Sequence, residues 1–334
     1  MNRKEMKRVK KKRRRPILRR LLFFTLLLLI GIGSYVGYVF YQTLEAANNS
    51  YDDLGREKSK LRESAVNISN DPVSILLLGV EDYSSGGAGG RSDTLMLATL
   101  NPKEKTMKLI SIPRDTKVEI PGEGEDKINH SYSKGGKELT IETVEDFLDI
   151  PIDYYATVNF NAFKDIINEV DGVVVDVPFD FWEKSEKGVK IYFEEGRMNL
   201  NGVEALAYAR MRKRDPRGDF GRNERQQQII TALVDKVMSP NNVFKIDDIA
   251  KHVGNNVETN MAIMDALGLQ QKYSNFNSDN IDRLTIEGTD EYESSIYYFI
   301  PDEDSIDEIK KELKTHLEIN SSSYSTNTTS TEEQ

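Results

Sequence analysis

The sequence predicts an α/β fold. A single domain over residues 73–319 would carry a mixed sheet covered by helices on both faces, preceded by one transmembrane helix over 21–41. Two observations point there. Along 73–319, short leucine- or valine-rich runs alternate with segments of helical periodicity, as in a sheet enclosed by helices. Ahead of them lies an apolar run of 21 residues without one formal charge.

Residues 1–20 hold twelve Lys/Arg and one acid, Glu5, so the net charge of −10 conceals 33 basic against 54 acidic residues over 21–334. A helix over 21–41 would be about 30 Å long, enough to cross a bilayer. A basic end abutting it places 1–20 in the cytoplasm and the rest outside. A cleavable signal would have an apolar stretch of about 7–15 residues ending at small residues. Here the run is longer and Leu44-Glu45-Ala46 is a poor cleavage site, so an uncleaved anchor is expected. Anionic lipid headgroups, not nucleic acid, are the expected partners of the basic tail. Residues 42–72 read as a polar, partly helical extracellular stalk, and 320–334 as a disordered Ser/Thr-rich tail.

Within the domain, strands are expected at 74–79, 94–100, 107–112, 155–160, 173–177, 283–286 and 296–300. A helix over 140–148 has Thr140 as a cap and Ile141, Val144, Phe147 and Leu148 on one face. Asp171-Gly172 stops a second at 161–170. Others are expected at 202–213, 223–238, 246–257, 261–273 and 305–317, and Pro216 ends the 202 helix near Asp215. Composition narrows the chemistry. The absence of cysteine excludes disulfides, thiol catalysis and cysteine-ligated metals, and three scattered histidines without HExxH spacing argue against a histidine metal site.

Three segments carry candidate chemistry. After SILLLG come Glu81 and Asp82, a glycine-rich run, then Arg91-Ser92-Asp93. Carboxylates placed there are hard ligands suited to Mg²⁺ or Mn²⁺, above all where phosphate adds oxygens. Arg114-Asp115 follows a strand directly. Last, residues 210–225 pack six arginines and one lysine into an acidic domain. The preference for Arg over Lys favours forked recognition of phosphate oxygens.

The motifs ILLLGV, GRSDTLMLATLNP, KLISIPRDT, KINHSYSKGG, VNFNAFKDIINEVDGVVVDVP, LNGVEALAYARMR and GRNERQQ, in that order, identify the chain as resembling the LytR–CpsA–Psr (LCP) family of Gram-positive cell-wall enzymes. The resemblance implies a membrane-anchored phosphotransferase of the bacterial envelope. It would move a glycopolymer, such as wall teichoic acid, from undecaprenyl pyrophosphate to peptidoglycan through a phosphodiester bond. It implies catalytic roles for Arg91, Asp93, Arg114, Arg210 and Arg212, with Asp93 as candidate base. Substrate contacts fall to Lys127, Arg222, Arg225 and Gln226, and Mg²⁺ (or Mn²⁺) to Asp93 with Glu81 or Asp82. The family's first metal-binding Asp is Glu81 here, and Glu81 is favoured over Asp82 because it keeps the ten-residue spacing to Arg91. The prenyl carrier also needs an apolar slot. Residues 173–175, Phe179, Phe181 and Trp182 are candidates, although core packing is the better reading for them. Hydrolysis of the lipid pyrophosphate is the competing activity, and a non-catalytic transcriptional attenuator the competing class.

An uncleaved anchor has a direct check. N-terminal sequencing of the membrane-extracted protein should read from the first residues of the chain, and a start near Ala47 would refute the anchor.

Overall fold

The computed structural model describes residues 50–80, 90–238, 256–273 and 276–319. The expected span over 21–41, the tail at 320–334, and Glu81 and Asp82 lie outside the described residues. Among the described residues, no helix is long and apolar enough to cross a membrane.

In chain order the strands are β1 (Val73–Val80), β2 (Ser92–Asn101), β3 (Thr106–Ile112), β4 (Lys117–Ile120), β5 (Gly124–Lys127), β6 (Tyr154–Asn159), β7 (Val173–Val177), β8 (Phe181–Lys184), β9 (Lys190–Phe193), β10 (Gly196–Leu200), β11 (Val257–Thr259), β12 (Ile281–Thr285), β13 (Gly288–Glu293) and β14 (Ile296–Pro301). The helices are α1 (His130–Leu148), α2 (Phe160–Glu169), α3 (Gly202–Arg210), α4 (Asp219–Met238), α5 (Ile263–Lys272) and α6 (Glu303–His316). Six strands form the central sheet in the order β11-β6-β1-β2-β3-β12. Pairing is parallel for β1–β6 and β3–β12 and antiparallel for the rest, so the sheet is mixed as expected.

The alternation of side chains along a strand distributes the core between the faces. Leu76 and Leu78 of β1 join Leu95, Leu97, Ile110 and Ile112 against α1 and α6. Ile75 and Leu77 join Met96, Ala98 and Leu109 against α4 and α5. A third cluster packs α2, α3 and α4 against β7, β10 and the β8–β9 hairpin. Helices on both faces are therefore observed.

Several elements differ from expectation for identifiable reasons. Helix α1 starts at His130, ten residues early, because Gly135 and Gly136 leave helical geometry and join two helical pieces at a kink. The helix expected over 246–257 does not include its last residue, which opens β11 on the sheet edge. Helix α3 stops at Arg210, where Met211 turns extended. VVVDV is a strand, but it pairs with β10 outside the central sheet, and its burial alternates accordingly.

Residues 50–72, read as stalk, are docked on the domain from residue 50 onward. Arg56 makes two 2.9 Å bonds to the Glu145 carboxylate, and Ser59 adds a third at 2.6 Å. Arg62 grips Asp153, and Ile68 is buried in the core. Ion pairs make a large part of this contact, which explains the polar look of the segment.

His316, at the end of α6, is buried between Thr99 and Thr106, whose hydroxyls lie 2.7 and 2.9 Å from its two ring nitrogens. Burial pushes its pKa below 6.5 and Lys108 adds to this, while Glu104, Asp282 and Glu312 oppose it. A folded value below the unfolded one means a contribution present above pH 6.5 that fades as pH falls towards the depressed value. His316→Gln should thus lower the melting temperature more at pH 8 than at pH 5, as measured by thermal denaturation at both. An equal gap would contradict a buried neutral imidazole.

Candidate active site

The strand ends of β1, β2 and β6 face α2, α3 and α4 across a cavity of about 390 Å³. Its floor includes Leu77, Gly79, Thr94 and Met96, and its walls Phe160, Phe163, Ile166, Leu206 and Ala209. Polar groups gather at Asp93, Arg114, Arg210, Arg222 and Gln226.

A β-bulge places Asp93. Gly79 pairs with Thr94 but Val80 pairs with Ser92, so Asp93 is an extra residue without a partner on β1. Close approach of the strands is part of this geometry, since a Cβ at Gly79 would come 2.9 Å from Thr94 Cβ. Arg114 is delivered by the turn after β3, where Thr116 N–H donates to the Pro113 carbonyl (3.0 Å) and Asn129 N–H to the Arg114 carbonyl (3.2 Å). Arg114 Nη1 then donates to Asp93 Oδ1 at 2.6 Å. Burial opposes the charge of Arg114, but the hydrogen bond and charge of Asp93, with Asp115 and Asp219 behind, raise its pKa overall.

Helix α4 supplies the far wall. Arg222, Gln226, Ile229, Ile230 and Leu233 recur at three- and four-residue spacing, so one stripe runs from cationic to apolar along the helix. Arg222 is only 7% exposed. Its Nη2 lies 3.1 Å from Asp219, whereas its Nε is buried without a hydrogen-bond partner. Burial lowers its pKa, Asp219 partly restores it, and Arg114 and Arg212 repel it. A buried guanidinium with an unanswered N–H, beside an open cavity, is a site prepared for an anion.

The other sequence candidates separate. Arg210 lines the cavity with its guanidinium 4.8 Å from the Phe160 ring centre. Arg212, one residue past the extended Met211, is exposed and pairs with Asp219 at 2.8 Å outside the cavity. Lys127 bonds Asp115 at 2.7 Å in a neighbouring hollow. Burial disfavours the Asp115 carboxylate, but Lys127 and Arg114 outweigh it and lower its pKa. Arg91 is exposed just before β2.

Arg225, assigned to substrate, is instead enclosed by protein. It is 1% exposed and bonds Asp215 at 2.5 Å, the Met211 carbonyl and the Tyr208 carbonyl at 3.3 Å. Its partners are the turn between α3 and α4, which leaves it a structural role. For residues 173–175, Phe179, Phe181 and Trp182, core packing is the better reading, and the structure agrees for most of them. Val173, Val175 and Phe181 are core, and Trp182 lies under Arg214, 3.6 Å from its ring centre. Sequence reading missed Asn159, which caps α2 on the cavity wall, and the α4 stripe, whose spacing was the available signal. Among the described residues no group of three or more His, Cys, Asp or Glu is arranged to hold a metal ion. Asp93 is the carboxylate on the cavity wall.

The LytR_cpsA_psr family model matches residues 37–315. The chain belongs to the LytR–CpsA–Psr family. The polyisoprenyl-teichoic acid–peptidoglycan teichoic acid transferase TagV of Bacillus subtilis (strain 168) is 54% identical over 298 residues, covering 87% of this chain and 75% of its own. The crystal structure of B. subtilis TagV matches with a TM-score of 0.70 and 55% identity, over 75% of this chain and 99% of that one. A LytR–CpsA–Psr structure of YwtF (TagT) with bound octaprenyl pyrophosphate lipid matches with a TM-score of 0.63 and 34% identity, over 79% of this chain and 97% of that one; TagT is a B. subtilis protein.

The two buried arginines of this LytR–CpsA–Psr site should respond differently to replacement. Arg225→Leu leaves Asp215 buried and unpaired and should cost about 3–5 kcal/mol of stability. Arg222→Leu removes an under-compensated charge and should leave stability unchanged or raised. It should still weaken binding of a diphosphate anion by roughly 10- to 100-fold, since a charge-assisted bond is worth about 1.5–3 kcal/mol. Denaturant titration and calorimetry check both, and similar destabilisation by the two would refute this division of roles.

Proposed function

We propose that the protein transfers a teichoic acid or similar glycopolymer from a polyprenyl diphosphate carrier to peptidoglycan, leaving a phosphodiester bond. The observation that carries this reading is the cavity itself, apolar along its depth with Asp93, Arg114, Arg210, Arg222 and Gln226 gathered together. An isoprenoid diphosphate has the same division: a hydrocarbon chain ending in a dense negative charge. Membership of the family and the transferase name of its TagV relative support it, as does the octaprenyl pyrophosphate bound in YwtF (TagT).

Phosphoryl transfer asks the protein for positioning and charge neutralisation. In this reading the guanidinium groups of Arg114, Arg210 and Arg222 neutralise the non-bridging oxygens. An acceptor hydroxyl oxygen attacks the glycan-bearing phosphorus. The bond from that phosphorus to the bridging oxygen breaks, polyprenyl phosphate leaves, and the hydroxyl proton passes to the Asp93 carboxylate. Arg114 holds that carboxylate in place through Oδ1. Arg91 and Arg212 stand outside the cavity.

Mg²⁺ (or Mn²⁺) is part of this reading, because such ions are often held by one or two carboxylates completed by substrate phosphate oxygens. Asp93, with Glu81 or Asp82, would hold it, and when bound it would withdraw charge from the diphosphate. An external, membrane-anchored location follows from the basic tail and the apolar run over 21–41.

The decisive experiment incubates the full-length protein with a polyprenyl-diphosphate-linked glycan and peptidoglycan oligomers, followed by mass spectrometry. A phosphodiester-linked product is expected, and Arg114→Ala should reduce its rate by about 10²–10³-fold. Free glycan phosphate as the dominant product would replace transfer with hydrolysis.

A further inference from the structure

Beside the cavity, with Arg114 as a shared wall, lies a second hollow of about 490 Å³. It opens between the turn ahead of α4 and the β13–β14 hairpin. The hairpin is tied to the turn after β3 that carries Arg114, since Phe299 N–H donates to the Asp115 carbonyl at 2.9 Å. The hollow therefore keeps a fixed relation to Arg114.

Its lining mixes charged side chains with four aromatic rings, two of which carry hydroxyls. Tyr292 and Tyr297 face each other across the hairpin with ring centres 5.6 Å apart, and Tyr292 is 71% exposed. Phe220, in the first turn of α4, is 42% exposed and meets Phe299 edge-on at 5.8 Å. Tyr297 Oη donates to Asp290 Oδ1 at 2.9 Å. The cations around the hollow are already answered. Lys127 pairs with Asp115 at 2.7 Å, Arg212 with Asp219 at 2.8 Å, and Arg217 with Glu224 at 2.5 Å.

This pattern selects its occupant. A polyanionic chain needs a net positive field, and here the cations Arg114, Lys127, Arg212 and Arg217 are balanced by Asp93, Asp115, Asp219, Glu224 and Asp290. An uncharged sugar needs flat rings for its C–H faces and oriented polar groups for its hydroxyls. We propose that the hollow is the acceptor subsite, receiving a pyranose of the peptidoglycan strand on Tyr292 and Phe220 with its hydroxyls towards Asp290 and Tyr297. A sugar seated there lies across Arg114 from the first cavity. The inference rests on the transfer reading above.

The test uses the full-length protein, its Tyr292→Ala variant and the ring-preserving Tyr292→Phe. Binding of soluble uncrosslinked peptidoglycan oligomers and of polyprenyl diphosphate is measured separately, alongside steady-state transfer and a thermal melt. Tyr292→Ala should weaken oligomer binding and raise the acceptor KM by about threefold to tenfold, the worth of one aromatic contact. Donor affinity and melting temperature should hold, and Tyr292→Phe should restore acceptor binding. Unchanged oligomer binding in Tyr292→Ala, or no oligomer binding by the parent protein, overturns the subsite. A rise in donor KM instead would assign the hollow to the donor's own glycan. Oligomer binding that depends on Tyr292 without any transfer would sink the functional reading while leaving the sugar site standing.

Discussion

The ion pair between Arg225 and Asp215 holds the rest of the site in place. It closes the turn between α3 and α4 from inside, with both side chains almost wholly withdrawn from solvent. A buried pair is tolerable only when further hydrogen bonds complete it. Here the Met211 and Tyr208 carbonyls take the remaining guanidinium donors, and the Arg217 N–H reaches Asp215 at 2.8 Å. Burial alone would raise the Asp215 pKa, but these partners lower it. Space for the carboxylate depends on Gly221, where a Cβ would fall 1.7 Å from Asp215 Oδ2. Arg210 and Arg212 hang from one end of this tied turn, Arg222 and Gln226 from the other.

The same helix thus carries two arginines three positions apart with opposite electrostatic states. Arg225 is satisfied by the fold. Arg222 is desolvated, flanked by two like charges and left with an unanswered Nε–H. The folded chain bears that unfavourable arrangement because the tied turn and the α2–α3–α4 packing over-determine it. Further along α4, Ile229, Ile230 and Leu233 continue the stripe as pure hydrocarbon. Charge and greasiness are thereby graded along one rigid element, which suits an amphiphile with a single head and tail.

Much of the fold was legible because local pattern and tertiary role agree. SILLLG, TLMLATL and MKLISI are buried strands in sequence and in the sheet, and the breakers after 170 stop α2 where expected. The β4–β5 hairpin and strand β13 escaped notice, although β14 was expected over 296–300, because GEDK and GTDEYE lie at the surface and carry no apolar alternation. Residues 50–72 looked like a stalk because Arg56–Glu145 and Arg62–Asp153 fasten them with charge, which hydropathy reads as solvent exposure. In the site, motif order was enough to pick out Asp93, Arg114, Arg210 and Gln226. It could not separate Arg222 from Arg225, because the difference is whether a distant carboxylate, Asp215, comes within reach.

The bulge at Asp93 has a consequence for how the site relates to its scaffold. The ladder between β1 and β2 runs in step from Val73 opposite Leu100 to Gly79 opposite Thr94, then skips a residue. That residue is supernumerary to the pairing. Excising Asp93 would leave Ser92 opposite Val80, as it is now, but in an unbroken ladder. Excising a residue further along β2 would instead invert the strand, turning its core-facing set to the other face. The carboxylate on the cavity wall is therefore the member of β2 that architecture does not require. Its presence is a local irregularity kept at the expense of sheet regularity, and the most ordered version of this fold would have no carboxylate on the cavity wall.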